Sequence, residues 1–148
     1  MKLLPEHGPC FVCGTQNPSG MGIEWYMRED QSIYGEITLT KKQQGPPGHA
    51  HGGASAALLD EAMGSAAWHS GTPVVAGNLN VNFRRPVPLG VKVEIRAWVA
   101  KKSGRKIQAQ SELRLPDGQV AVEGTGLFVE AKHMYREYER SDTNSKNT

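Results

Sequence analysis

The stretch Gly48–Gly64, GHAHGGASAALLDEAMG, decides how the rest of the chain is read. A His-Gly-Gly triplet opens it, and two adjacent acids, Asp60 and Glu61, interrupt a run of small and apolar residues. Alanine and leucine favour helix, and Gly71-Thr72-Pro73 is a stop signal, so a helix is predicted from about Gly52 to Trp68. It is apolar around most of its circumference, as buried helices are.

The sequence around this helix has a different period. Short strand-like runs precede it at 23–27 and 33–40, and the loop KKQQGPPGHAH leads into it, its prolines and glycines forbidding regular structure. After it, Val75–Phe83, Val91–Val99, Ile107–Leu115 and Val120–Val129 alternate apolar and polar residues, with turns at 86–90, 102–104 and Pro116-Asp117-Gly118. Four consecutive strands with short turns predict an antiparallel meander. A flat sheet cannot bury one helix on most sides, so the sheet must curl around it. The predicted class is α+β, one antiparallel sheet around one long central helix. Residues 1–21 read as an irregular leader without an element of its own, 22–131 as the folded domain, and 132–148 as a polar, frayed tail.

Composition bounds the function. At 148 residues there is room for one core. With 38% hydrophobic and 22% charged residues, global disorder is excluded. The net charge of +2 is scattered rather than blocked, which argues against a nucleic-acid partner. No apolar run reaches the roughly 20 residues of a membrane helix, and MKLLPEHGPC breaks at Pro5 and Glu6 before any signal-peptide core develops. A cytoplasmic protein without membrane partners is expected. The two cysteines, Cys10 and Cys13 in HGPCFVCG, are too few for a disulfide framework. They lack the strand–helix surroundings of a redox couple, and with His7 as a third ligand they are one short of a zinc site, so no metal is expected.

The opening stretch carries the chemistry. A helix start presents free backbone N–H groups and a partial positive charge, and glycine lets a ligand approach them, so His51-Gly52-Gly53 could hold a carbonyl oxygen that gains negative charge. Asp60 lies among Ala56, Ala57, Met63 and Gly64 at helical neighbour positions. Burial there would raise its pKa, which suits a general base or nucleophile. Glu61 sits about 100° further round, and Gly52 and Asp60 are about 12 Å apart along the axis. Both can act on one carbonyl only if the second comes from another copy, so catalysis at this site predicts a homo-oligomer with the site across the interface.

These residues have a family likeness. GPPGHAHGGASAALLDEAMG (45–64), GNLNVNFRRPVPLG (77–90) and SGRK (103–106) together resemble the hotdog-fold acyl-CoA thioesterases, in the branch of the phenylacetate-pathway thioesterase and the thioesterase superfamily members, over residues 22–131. The resemblance implies a hotdog fold, dimers or dimers of dimers, an acyl-CoA substrate and hydrolysis of its thioester, with no cofactor beyond the CoA of the substrate. By position it implies that Gly52 and Gly53, with His51 beside them, polarise the thioester carbonyl, and that Asp60 of the opposite subunit activates water or attacks. Arg84, Arg85, Lys101, Lys102, Arg105 and Lys106 become candidates for the CoA phosphates. Where relatives carry a Ser or Thr on the strand after the helix, this chain has Ala76; Asn78, two residues on and expected on the same strand face, is the substitute. Gln44, next to Gly45 where some relatives have Asn or Gln, is a second polar candidate, and Glu61 a third.

The alternative reading is a hotdog module that binds acyl-CoA without hydrolysing it. A hydratase would need a different histidine-plus-acid signature, and a ligand-free scaffold would leave a buried Asp60 without a reason. Trp25, Tyr26, Trp68 and Trp98 are candidates for an acyl pocket or for plain core.

Overall fold

The computed structural model describes residues 1–135. Its strands are β1 (Lys2–Leu3), β2 (Tyr26–Met27), β3 (Ile33–Thr38), β4 (Val74–Phe83), β5 (Lys92–Ser103), β6 (Lys106–Arg114) and β7 (Val120–Glu130), with one α-helix, α1 (Gly52–His69), before β4. They form a single antiparallel sheet in the order β1-β2-β3-β5-β6-β7-β4. The predicted helix and the four long strands are all present, within a few residues of their expected ends.

The helix lies on the concave face of the sheet. Ser55, Leu58, Leu59, Ala62, Met63, Ala66 and Ala67 repeat at helical spacing and are buried against it. Val93, Ile95, Ala97, Ile107, Ala109, Leu113 and Val122 face them from the strands. Each fully buried Leu or Met contributes about 1.5–3 kcal/mol relative to an exposed one. The opposite flank of α1, with Ala56, Ala57, Asp60 and Gly64, is half-exposed. Burial on most sides, expected from composition, is therefore reached on one side only within a single chain.

Two other expectations are corrected. The four long strands are not one meander: β5, β6 and β7 are, but β4 crosses to the far side and pairs with β7. Alternation fixes which residues share a face and says nothing about which strand lies alongside. The leader is not without structure either. Lys2 and Leu3 pair with Met27 and Tyr26, Cys13 bridges to Ile23, and Val12 and Cys13 are buried in the core. Residues 132–135 form one helical turn, where Tyr135 Oη donates to the Val74 carbonyl at 2.7 Å; the rest of the expected tail lies outside the described residues.

β4 is an edge strand ten residues long. Its inward face carries Leu79, 40% exposed, and Phe83, 56% exposed. An unpaired edge with open apolar side chains is a template for pairing with a second chain.

Candidate active site

The loop before α1 is built to hold one backbone conformation. Thr40 caps a 3-10 turn over Lys41–Gln43, its N–H donating to Gln43 Oε1 at 2.9 Å. The His51 N–H then donates to the Gln43 carbonyl at 2.7 Å. The Ala50 N–H reaches the Val87 carbonyl at 2.8 Å and the Leu89 N–H the Gly48 carbonyl at 3.0 Å, so the loop lies along the segment that leaves β4. Gly45 packs so close that a Cβ there would stand 2.7 Å from His51 Cα. Gln44 Oε1 accepts from the Gly48 N–H at 3.0 Å, closing the loop on itself.

His51 is the N-cap of α1, with φ −61° and ψ 137°. Its Nδ1 accepts from the Gly53 N–H at 2.8 Å. A neutral ring that accepts at Nδ1 carries its proton on Nε2. The Ala54 and Ser55 N–H groups turn back to the His51 carbonyl at 3.0 and 3.3 Å. That leaves Gly52: among the described residues, nothing accepts from its N–H. Of the two glycine amides expected to be open, one is already taken by the histidine.

A cleft of about 310 Å³ opens at this helix start. Gly52, Ser55, His49, Phe83, Arg84 and Arg85 are among its lining residues. Phe83 sits close enough that a Cβ on Gly52 would be 3.3 Å from its ring. The two arginines are held in the strand-end turn, both backbone N–H groups donating to the Ala121 carbonyl at 2.8 and 3.0 Å. The Arg84 side chain pairs with Glu123, Nε to Oε1 at 2.9 Å, and Arg85 reaches Asp117 at 3.2 Å and Gln119. Sequence reading did not single out Phe83 or His49. Phe83 ends the β4 alternation just before the arginines, which was the available signal. None of Trp25, Tyr26, Trp68 and Trp98 lines this cleft.

Asp60 lies two turns further along α1, half-buried and away from the cleft. Burial raises its pKa above the ordinary 3.8, the Glu61 carboxylate beside it adds to this, and no hydrogen bond among the described residues offsets either. Glu61 turns instead toward the leader. Its Oε1 meets His7 Nε2 at 2.9 Å and accepts from the Cys13 thiol at 3.3 Å. Burial, then the Glu61 carboxylate, push the Cys13 thiol well above its usual range. A redox couple needs the opposite shift.

Three further candidates are not assembled with the cleft. Lys101, Arg105 and Lys106 sit at the β5–β6 turn, where Arg105 Nη2 donates to the Glu130 carbonyl at 3.3 Å and the neighbouring Lys102 Nζ to the Ser70 carbonyl at 3.3 Å. Ser70 caps the far end of α1, so the turn is about a helix length, roughly 27 Å, from the cleft in the same chain. Asn78 is a correction. The register shifts between Ala76, opposite Phe128, and Asn78, opposite Leu127. Gly77 is the extra residue, and such a bulge reverses the alternation. Ala76 therefore shares the face of buried Phe128, and Asn78 stands on the other face with Asn80 and Asn82.

The thioesterase superfamily model matches residues 47–122, the helix start through to β7. The chain belongs to the thioesterase superfamily. Among named relatives, acyl-coenzyme A thioesterase THEM4 of Bos taurus is 43% identical over 114 residues, covering 74% of this chain and 47% of the relative. The chain thus spans about half the length of the curated relatives it matches. A solved thioesterase superfamily protein superposes with TM-score 0.75 and 37% identity over 78% of this chain and 57% of the other. The BH2602 protein of Bacillus halodurans, solved with CoA, superposes at 0.68 with 26% identity over 78% of each chain. The sheet curled over one helix in this superfamily member is the hotdog fold.

Proposed function

We propose that this chain hydrolyses acyl-CoA thioesters to a free acid and CoA. The observation that carries the reading is the Gly52 N–H, which has no acceptor among the described residues and belongs to a glycine lining a cleft flanked by two arginines. A thioester carbonyl in that cleft accepts from Gly52, and the positive end of the helix stabilises the charge that develops on its oxygen. His51 keeps the turn in place and presents Nε2–H on the same side. Gly53 contributes its N–H only if the His51 ring swings away. Arg84 and Arg85 pair with the CoA phosphates, exchanging surface carboxylate partners for them. Phe83 forms an apolar wall beside the acyl carbon.

Asp60 supplies the base or nucleophile from the partner subunit. The roughly 12 Å between it and Gly52 on one helix, the half-exposed flank of α1 and the open β4 edge all support a homodimer with two shared sites. In such an assembly the Lys101–Lys106 turn of one subunit can reach the phosphates at the other's cleft. CoA in the Bacillus halodurans protein and acyl-CoA hydrolysis in the THEM4 relatives favour this substrate class. No helix among the described residues is long and apolar enough to cross a membrane.

Thiol release from a panel of acyl- and aryl-CoA esters tests the reading, wild type beside Asp60→Asn. Loss of an essential base costs at least about 100-fold in rate, and the variant should still bind the ester. If wild type binds CoA esters and hydrolyses none, the protein is a binding module; the engaged Gly53 N–H and the outward Asn78 favour that second reading.

A further inference from the structure

The leader motif HGPCFVCG lacked one ligand in the sequence, and the fold brings a fourth from the middle of α1. One donor atom each of His7, Cys10, Cys13 and Glu61 lies within 4.8 Å of all the others. Three of the contacts are closer: His7 Nε2 to Glu61 Oε1 at 2.9 Å, Cys13 Sγ to His7 Nε2 at 3.2 Å, and Cys13 Sγ to Glu61 Oε1 at 3.3 Å. The turn around the first cysteine is shaped as well. The N–H groups of Val12 and Cys13 both point at Cys10 Sγ, at 3.3 and 3.4 Å. Two amide donors on one sulfur fix where that sulfur sits relative to the other three groups. Gly14, at φ +80°, closes the turn immediately after Cys13.

We propose that His7 Nε2, Cys10 Sγ, Cys13 Sγ and a Glu61 carboxylate oxygen form a closed tetrahedral Zn²⁺ site that clamps the leader onto the middle of α1. Two thiolates, an imidazole and a carboxylate suit zinc and exclude the all-oxygen shells that Ca²⁺ and Mg²⁺ require. With sulfur at about 2.3 Å and nitrogen or oxygen at about 2.0–2.2 Å, the edges of such a tetrahedron are about 3.4–3.8 Å. The three close pairs need to open by only a few tenths of an ångström around a central ion. On binding, the two thiols release their protons to solvent, and the His7–Glu61 and Cys13–Glu61 hydrogen bonds give way to bonds from each group to the metal. Four protein ligands leave no open position, so the ion is structural. The clamp is independent of the thioester reading, and it withdraws Glu61 from substrate contact.

The whole 148-residue chain, expressed with Zn²⁺ and purified with a reductant that keeps both thiols free, should retain about one zinc per chain through dialysis. In Cys10→Ser and Glu61→Gln that content should fall to about a tenth or less. Glu61→Gln preserves side-chain shape, so it remains informative if the cysteine variant misfolds. Adding Zn²⁺ to the metal-stripped wild type should raise its unfolding midpoint and leave that of Glu61→Gln unmoved. Co²⁺ in place of zinc should give sulfur charge-transfer bands and tetrahedral d–d bands. Reduced wild type that carries no zinc and shows no midpoint shift with Zn²⁺ overturns the site, as does equal zinc in wild type and both variants.

Discussion

The imidazole of His51 holds the backbone N–H of Gly53 at 2.8 Å, so the residue that opens α1 also occupies one of the two amides its glycines present. Side-chain caps of this kind satisfy an orphan donor of the first turn. In His51→Ala the Gly53 N–H is freed and the cap is lost. Urea unfolding should show a loss of about 1 kcal/mol, together with a fall in thioester turnover. Unchanged stability would mean that the ring contributes nothing as a cap.

Gly45 governs the same turn from the other side. Gly45→Ala places a methyl 2.7 Å from His51 Cα, against backbone that cannot yield without moving the cap. Displacement of the order of 1 Å at a catalytic group costs up to about 100-fold in rate. We expect kcat to fall by at least about tenfold, while circular dichroism and the unfolding cooperativity stay close to wild type. Full activity in this variant would show that the loop position is not tied to the reaction.

The raised pKa of Asp60 gives the reaction an acid limb. A base works only when ionised, so kcat/KM should fall as pH drops through a pKa above the ordinary carboxylate value of 3.8. Stability runs the other way. A folded-state pKa above the unfolded one means that the folded chain holds the proton more tightly, so stability is full below the unfolded pKa and declines as pH rises through the folded value. Asp60→Asn should therefore be more stable than wild type at neutral pH, with the difference closing in acid. A flat kcat/KM profile through the acid range would remove Asp60 as the base.

The open edge of β4 predicts the assembly. Leu79→Lys puts a charge on the inward face of this edge strand without touching the cleft. Light scattering should report dimers for wild type and monomers for the variant, and thioester hydrolysis should vanish with the dimer. A dimeric, active Leu79→Lys protein would place the interface elsewhere.

Much of this was legible in the sequence, for a local reason. The helix and the long strands were written in period and composition, and the stop at Thr72-Pro73 was written in backbone chemistry. What was missed depends on residues far apart in the chain. Nothing near Val74–Phe83 says that its neighbour is β7 rather than β5. One extra residue at Gly77 was enough to turn Asn78 to the wrong face. Glu61 could be placed on the helix but not assigned a partner, because the groups it meets lie 48 and 54 residues earlier. The engaged Gly53 N–H depended on a side-chain rotamer that spacing does not encode.

Pairing β4 with the last strand also sets an order of events during synthesis. β4 leaves the ribosome well before β7 and, among the described residues, has no other strand to pair with. Until Val120–Glu130 has been translated, an apolar strand carrying Leu79, Val81 and Phe83 waits with both edges bare, and neighbouring nascent chains on one messenger present the same strand. The strand suited to joining two finished subunits is thus also the one most exposed to premature capture.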